Sequence, residues 1–137
     1  MARYHVRMPR ELIVPAIIMT LAFVFYTGGV WAERIQRDLL PWHVVAFWLG
    51  LACDGFATKM MELMRVAGEQ AGLVHTVTGF SAFGLMAIHA VWATWVLIRG
   101  SAEARAGFHR YSIVVWSIWL IPYLGGMIAG IMRGANG

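Results

Sequence analysis

AGLVHTVTGFSAFGLMAIHAVWATWVLI, residues 71–98, carries no formal charge over 28 residues and is bounded by Glu69 and Arg99. A hydrocarbon layer about 30 Å thick is crossed by about 20 residues of α-helix, so this run is long enough to span a bilayer. Its apolar residues do not alternate as barrel strands require, and a bilayer offers no partner for unpaired backbone groups, which leaves the helix as its spanning form. Working outward, residues 111–132 are uncharged between Arg110 and Arg133, and residues 12–32 between Glu11 and Glu33. Residues 39–53 form a shorter run that reaches Thr58 if Asp54 is tolerated, with Pro41 suited to a first helical turn. The sequence thus predicts helices over about 11–33, 41–58, 71–99 and 110–133. It reads as an all-α integral membrane four-helix bundle, a single membrane domain over residues 1–137 whose ends lie on one side of the bilayer.

The connections are short. Residues 59–70 (KMMELMRVAGEQ) mix apolar and charged side chains, as in an interfacial helix or a continuation of the second span, and residues 100–109 read as a polar hairpin connection. The basic start MARYHVRMPR resembles that of a signal peptide, but the apolar run after it is too long and no small-residue cleavage site stands out, so a retained helix is expected.

Composition agrees: 60% of residues are apolar and 13% charged, about half the charged share of an ordinary soluble domain. The net charge of +4 comes from eleven Lys and Arg scattered singly between apolar runs. That pattern anchors helix ends at headgroups; a nucleic-acid binder gathers its cations in a patch, so nucleic acid is excluded as a partner. Six basic residues (Arg3, Arg7, Arg10, Lys59, Arg65, Arg133) fall on the N-terminal side and five (Arg34, Arg37, Arg99, Arg105, Arg110) on the other, which favours cytoplasmic termini. Cys53 is the one cysteine, so the chain forms no internal disulfide, and no CxxCH is present for covalent heme attachment.

Ionisable groups inside a span are costly and are candidate functional residues by default. His75 and His89 are 14 residues apart, which at 100° per residue puts them on one helix face with a rise of about 21 Å. Gly79, Ala82 and Met86 lie between them on a strip smooth enough for a flat cofactor or a neighbouring helix. Such a pair resembles that of the b-type membrane cytochromes, where one helix gives one axial imidazole to each of two hemes. Incidental interface histidines are the competing explanation. His43 and His109 fall at the membrane face where the third helix ends, His75 at the opposite face, and His89 nearer to His43 and His109. One heme held by His89 with His43 or His109 is therefore easier to build than two. Asp54 lies about 16 Å below His43, near the level of His89 and Tyr123, where it could orient a ligand imidazole, pass a proton, or stand neutral as a helix cap.

Three stretches carry a more specific likeness: LAFVFYTGGVWAERIQ, WHVVAFWLGLACDG, and HAVWATWVLIRG followed by FHRYSIVVWSIWLIPYLGGM. Over about residues 11–132 the chain resembles the HsmA family of bacterial four-helix membrane proteins. The resemblance implies heme sensing or sequestration in a bacterial inner membrane, with family histidines matching His43, His75, His89 and His109. Expected cofactors are one or two molecules of heme b. Expected partners, besides lipid and heme, are a quinone or redox protein if electrons are passed, and a second copy of the chain packed through glycines such as Gly28, Gly29, Gly125 and Gly126. The alternatives are a heme-free proton or small-solute carrier or sensor using Asp54 and His89, and an accessory membrane subunit. No nucleophile motif or phosphate loop points to an enzyme.

Overall fold

The computed structural model describes residues 10–65 and 73–136, with side chains over 13–63 and 77–128. They form α1 (Arg10–Gln36), α2 (Pro41–Arg65), α3 (Leu73–Arg99), the short α4 (Ala102–Gly107) and α5 (His109–Asn136). Four stretches are long and apolar enough to cross a membrane: α1, α2, α3, and the run from α4 into α5. The expected all-α four-helix membrane bundle is the architecture found.

Several boundaries differ from the sequence reading, α5 among them, which runs on past Arg133 to Asn136. α1 passes through Glu33 to Gln36, because Glu33 is fully buried and does not mark the membrane edge. α2 continues to Arg65, since Asp54 is accommodated inside the bundle and the exposed Lys59–Glu62 pair at 3.7 Å carries the helix on among polar groups. The predicted hairpin connection contains α4, whose first turn is closed by Ser101 accepting from the Ala104 N–H at 3.1 Å. The N-terminal segment with His5 and residues 66–72 lie outside the described residues.

The turn between α1 and α2 is locally specified. Arg37 takes a left-handed conformation (φ 53°) and its N–H closes on the Glu33 carbonyl at 2.8 Å, ending α1. Pro41 then starts α2, where its missing N–H leaves no intrahelical bond unmade. His43 takes the capping-box role usually filled by Glu or Gln: its Nδ1 accepts from the Leu40 backbone N–H at 3.0 Å, while the His43 backbone N–H donates to the Leu40 carbonyl.

Neighbouring helices run antiparallel in a ring, α1 to α2 to α3 to α5 and back to α1. Glycine sets the closest approach, between α1 and α2. A Cβ on Gly50 would stand 2.5 Å from the Tyr26 ring, and one on Gly29 2.8 Å from Phe47. Large apolar side chains such as Val24, Ile35, Phe56, Ile88, Val91 and Ile121 face outward, as lipid requires. The interior inverts the pattern of a soluble domain: small and aromatic residues there surround Glu33, His43, Asp54, His89 and Ser112, all buried.

Candidate functional site

Buried polar groups gather in two layers, each built from helical stripes. On α1, Tyr26, Val30 and Glu33 recur at steps of four and three residues and face inward, as do Met86, His89 and Ala93 on α3; on α2, His43, Phe47 and Asp54 follow at steps of four and seven, and on α5 Ser112 and Trp119 at seven.

The inner layer is centred on Asp54. Its Oδ2 accepts from the Trp119 indole N–H at 3.0 Å and the Tyr26 hydroxyl at 3.3 Å, and its Oδ1 from the Thr58 hydroxyl at 3.4 Å. Both oxygens are satisfied by donors from three helices. Tyr26 packs edge-on against Trp119 at 5.0 Å, and Tyr123 stacks on Trp119 and Phe23 at 5.1 Å. Asp54 and Tyr123 thus share a layer, joined through Trp119. His89 belongs to the other one.

That second layer lies toward the end of the bundle where the α1–α2 turn and α4 are found. His89 Nε2 is 2.9 Å from Ser112 Oγ, and Ser112 Oγ donates to Glu33 Oε2 at 2.8 Å, so an imidazole, a hydroxyl and a carboxyl from α3, α5 and α1 form one chain. The His89 ring is held between Phe47, edge-on at 4.6 Å, and Phe108, stacked at 5.4 Å. With the serine proton directed at Glu33, Ser112 has only lone pairs left for His89, so Nε2 carries the ring proton and Nδ1 is bare. His43 and His109 sit at the same end of the bundle. Arg34, Arg37 and Arg110 act electrostatically on His109, and Asp38 on His43.

Four buried side-chain atoms in the described part of the chain lack a hydrogen-bond partner: Glu33 Oε1, His43 Nε2, His89 Nδ1 and His109 Nδ1. All belong to this layer or the bundle end beside it, and none to the Asp54 layer. Since buried polar groups are nearly always paired, such a concentration marks where a missing group would act.

No three His, Cys, Asp or Glu among the described residues are arranged to hold a bare metal ion, but heme iron asks the protein for only one or two axial ligands. The bare Nδ1 of His89 fits that role in kind, with Nε2–H anchored as the outer nitrogen of a ligand imidazole usually is. The partnerless Nδ1 of His109 fits as well. His43 in its capping arrangement does not, because a ring whose Nδ1 accepts from a backbone N–H keeps its proton on Nε2. His75 lies in the first turn of α3, at the other end of the bundle, and its side chain is outside those described.

The sequence points to His89, His43, His109 and Asp54 but not to Glu33 or Ser112. Glu33 reads there as a border charge. The available signal was its place seven residues after Tyr26, on the face shared with Ala22 and Val30. No family model matches the chain, and neither does any curated protein or any solved structure.

Proposed function

We propose that this protein is a b-type heme-binding protein of the bacterial inner membrane that holds protoheme noncovalently, with His89 as ligand and His109 as its partner, for heme sequestration, heme sensing or membrane electron transfer. The observation that carries this reading is the set of partnerless buried ring nitrogens at one end of the bundle, beside the anchored His89. The arginines Arg34, Arg37 and Arg110 near His109 suit the anionic propionates of a heme entering from that end. A bound heme would supply a one-electron iron centre, or simply be the stored molecule. The chain's own part is to fix the His89 ring through Ser112 and Glu33, to wall it with Phe47 and Phe108, and to exclude water. The likeness to the HsmA family points the same way. With cytoplasmic termini, the His89 end of the bundle faces outward, where a quinone or a redox protein would meet it.

A heme-free carrier built on Asp54 and His89 draws no support from the geometry, because these residues sit in separate networks and both Asp54 oxygens are taken. The test is a reduced-minus-oxidised visible spectrum with heme quantitation on purified full-length protein. The parent is compared with His43→Ala, His75→Ala, His89→Ala and His109→Ala. Sharp b-type bands lost with His89 and with His109 are expected, and a signal halved by His75→Ala would call for a second heme. Absence of stoichiometric heme after heme-replete expression would sink the reading.

A further inference from the structure

We propose that a ligand reaches His89 through a port between α3 and α5 at the α4 end of the bundle, closed by the Phe108 ring and rimmed by Trp92 and Tyr111, and that this port admits a flat apolar ring from the headgroup layer. The proposal rests on reading His89 as the ligand-holding residue. It adds where the ligand enters and which side chain stands in its way.

His89 Nδ1 is bare yet enclosed, so a ligand can meet it only if a wall moves. Two rings stand against the imidazole: Phe47, edge-on at 4.6 Å, and Phe108, stacked at 5.4 Å. Phe47 has no room to yield. It belongs to the long α2 and presses on α1 where a Cβ on Gly29 would stand 2.8 Å from its ring. Phe108 is as buried but differently held. Its carbonyl accepts from the Tyr111 and Ser112 N–H groups at 3.0 and 3.1 Å, which fixes its backbone at the head of α5 and leaves the ring to swing. On its other side it joins, through Gly107, a six-residue helix with no buried side chain. A Cβ on Gly107 would meet nothing within 4 Å, so the junction has space around it. A short segment without buried contacts is the kind that opens locally while the rest stays folded.

The route beyond Phe108 is aromatic. Trp92 from α3 meets Phe108 edge-on at 5.4 Å, and Tyr111 from α5 lies 4.7 Å from Trp92 and 6.3 Å from Phe108. Trp92 is 40% exposed and Tyr111 53%, so the three rings lead from the buried imidazole to the outer surface of the bundle. Trp and Tyr settle at headgroup depth, and their ring faces stack on a flat apolar molecule. Arg99, held over the Trp95 ring at 5.8 Å, and Arg110, just before Tyr111, place cations at the ends of the same two helices, where acidic substituents of such a ring would stay. Heme has this form, an apolar disc with carboxylates on one edge.

The test measures how fast heme-free, full-length protein in detergent is acylated at His89 by diethyl pyrocarbonate, which bonds to a bare imidazole nitrogen; mass spectrometry locates the modified residue. Phe108→Ala should speed this reaction about 10- to 100-fold, because opening no longer has to unbury a phenylalanine ring. Gly107→Ala, whose methyl fits and which favours the helical junction, should slow it about 3- to 5-fold, and it serves where Phe108→Ala does not fold. Asp54→Ala, which loosens the bundle away from the port, should react like the parent. Hemin uptake from lipid vesicles, followed by stopped-flow absorbance, should change in the same directions. Acylation at the parent's rate in both Phe108→Ala and Gly107→Ala would overturn the proposal. So would an Asp54→Ala protein that reacts as fast as Phe108→Ala, since access would then come through general unfolding. A chain that takes up no hemin but shows the expected acylation rates keeps the port and loses the heme reading; one whose hemin uptake ignores both variants loses the port.

Discussion

Asp54 and Glu33 are both carboxyls buried in a membrane bundle, yet their surroundings differ in kind. Asp54 receives hydrogen bonds on both oxygens from Tyr26, Trp119 and Thr58, so it ties α1, α2 and α5 together and leaves nothing unspent. Among the described residues, Glu33 has one oxygen bonded to Ser112 and one without a partner, and the chain it begins ends on another such atom, His89 Nδ1. A polar group with every partner supplied stabilises a fold; one left partly open in a dry interior has a cost that only a further function repays.

The sharpest way to break this contrast is to exchange the expected losses. His89→Ala should abolish bound heme, and Ser112→Ala should weaken heme binding by about 10- to 100-fold, as loss of an outer anchor of a ligand typically does. Asp54→Asn should bind heme like the parent. Heme quantitation on the three variants measures this directly, and an Asp54→Asn protein without heme would merge the two layers into one site.

Stability should respond in the opposite order. Asp54→Ala deletes bonds to two other helices and strands the Tyr26 hydroxyl and the Trp119 indole N–H. Interhelical hydrogen bonds in membranes average about 0.6 kcal/mol with a maximum near 1.7, so a loss of about 2 kcal/mol is expected in reversible detergent unfolding. Ser112→Ala strands Glu33 Oε2 and His89 Nε2 but breaks two hydrogen bonds where Asp54→Ala breaks three, so it should lose somewhat less. Gly50→Ala perturbs the same layer through packing. Its new Cβ would press on the Tyr26 ring at 2.5 Å, and overpacking of about 1–3 kcal/mol is offset by up to about 1 kcal/mol of helix propensity. A net loss of about 1 kcal/mol should appear, whereas Gly28→Ala, with open space around it, should be neutral or stabilising.

How much of this was legible in the sequence follows from the same contrast. The spans could be read because lipid imposes a length and an apolarity that a chain cannot disguise, and His89 and Asp54 could be read because a charge or imidazole within such a run is conspicuous. Glu33 was not, because it stands where an apolar run meets Arg34, and a one-dimensional scan gives a border charge and a buried one the same appearance. Ser112, small and uncharged, gave no signal at all. Depth along the membrane was also too coarse a guide: His89 and Asp54 fall near one level by residue counting, but side-chain direction sends them into different networks.

His43 supplies the finest discrimination, because it is as buried as His89 and has an orphaned nitrogen too, yet the atom it has committed is of the opposite type. His89 gives a proton to its anchor and keeps a lone pair; His43 spends its lone pair on the Leu40 N–H and keeps a proton. Only the first can donate to a metal as it stands. His43→Ala should therefore retain heme while losing the cap of α2, a change of about 1 kcal/mol, typical of a helix cap. His43→Gln, whose side-chain oxygen can accept the same N–H, should recover most of that stability. If His43→Ala instead loses its heme bands while unfolding like the parent, the ring must turn over to bind iron, and the ligand pair becomes His89 with His43.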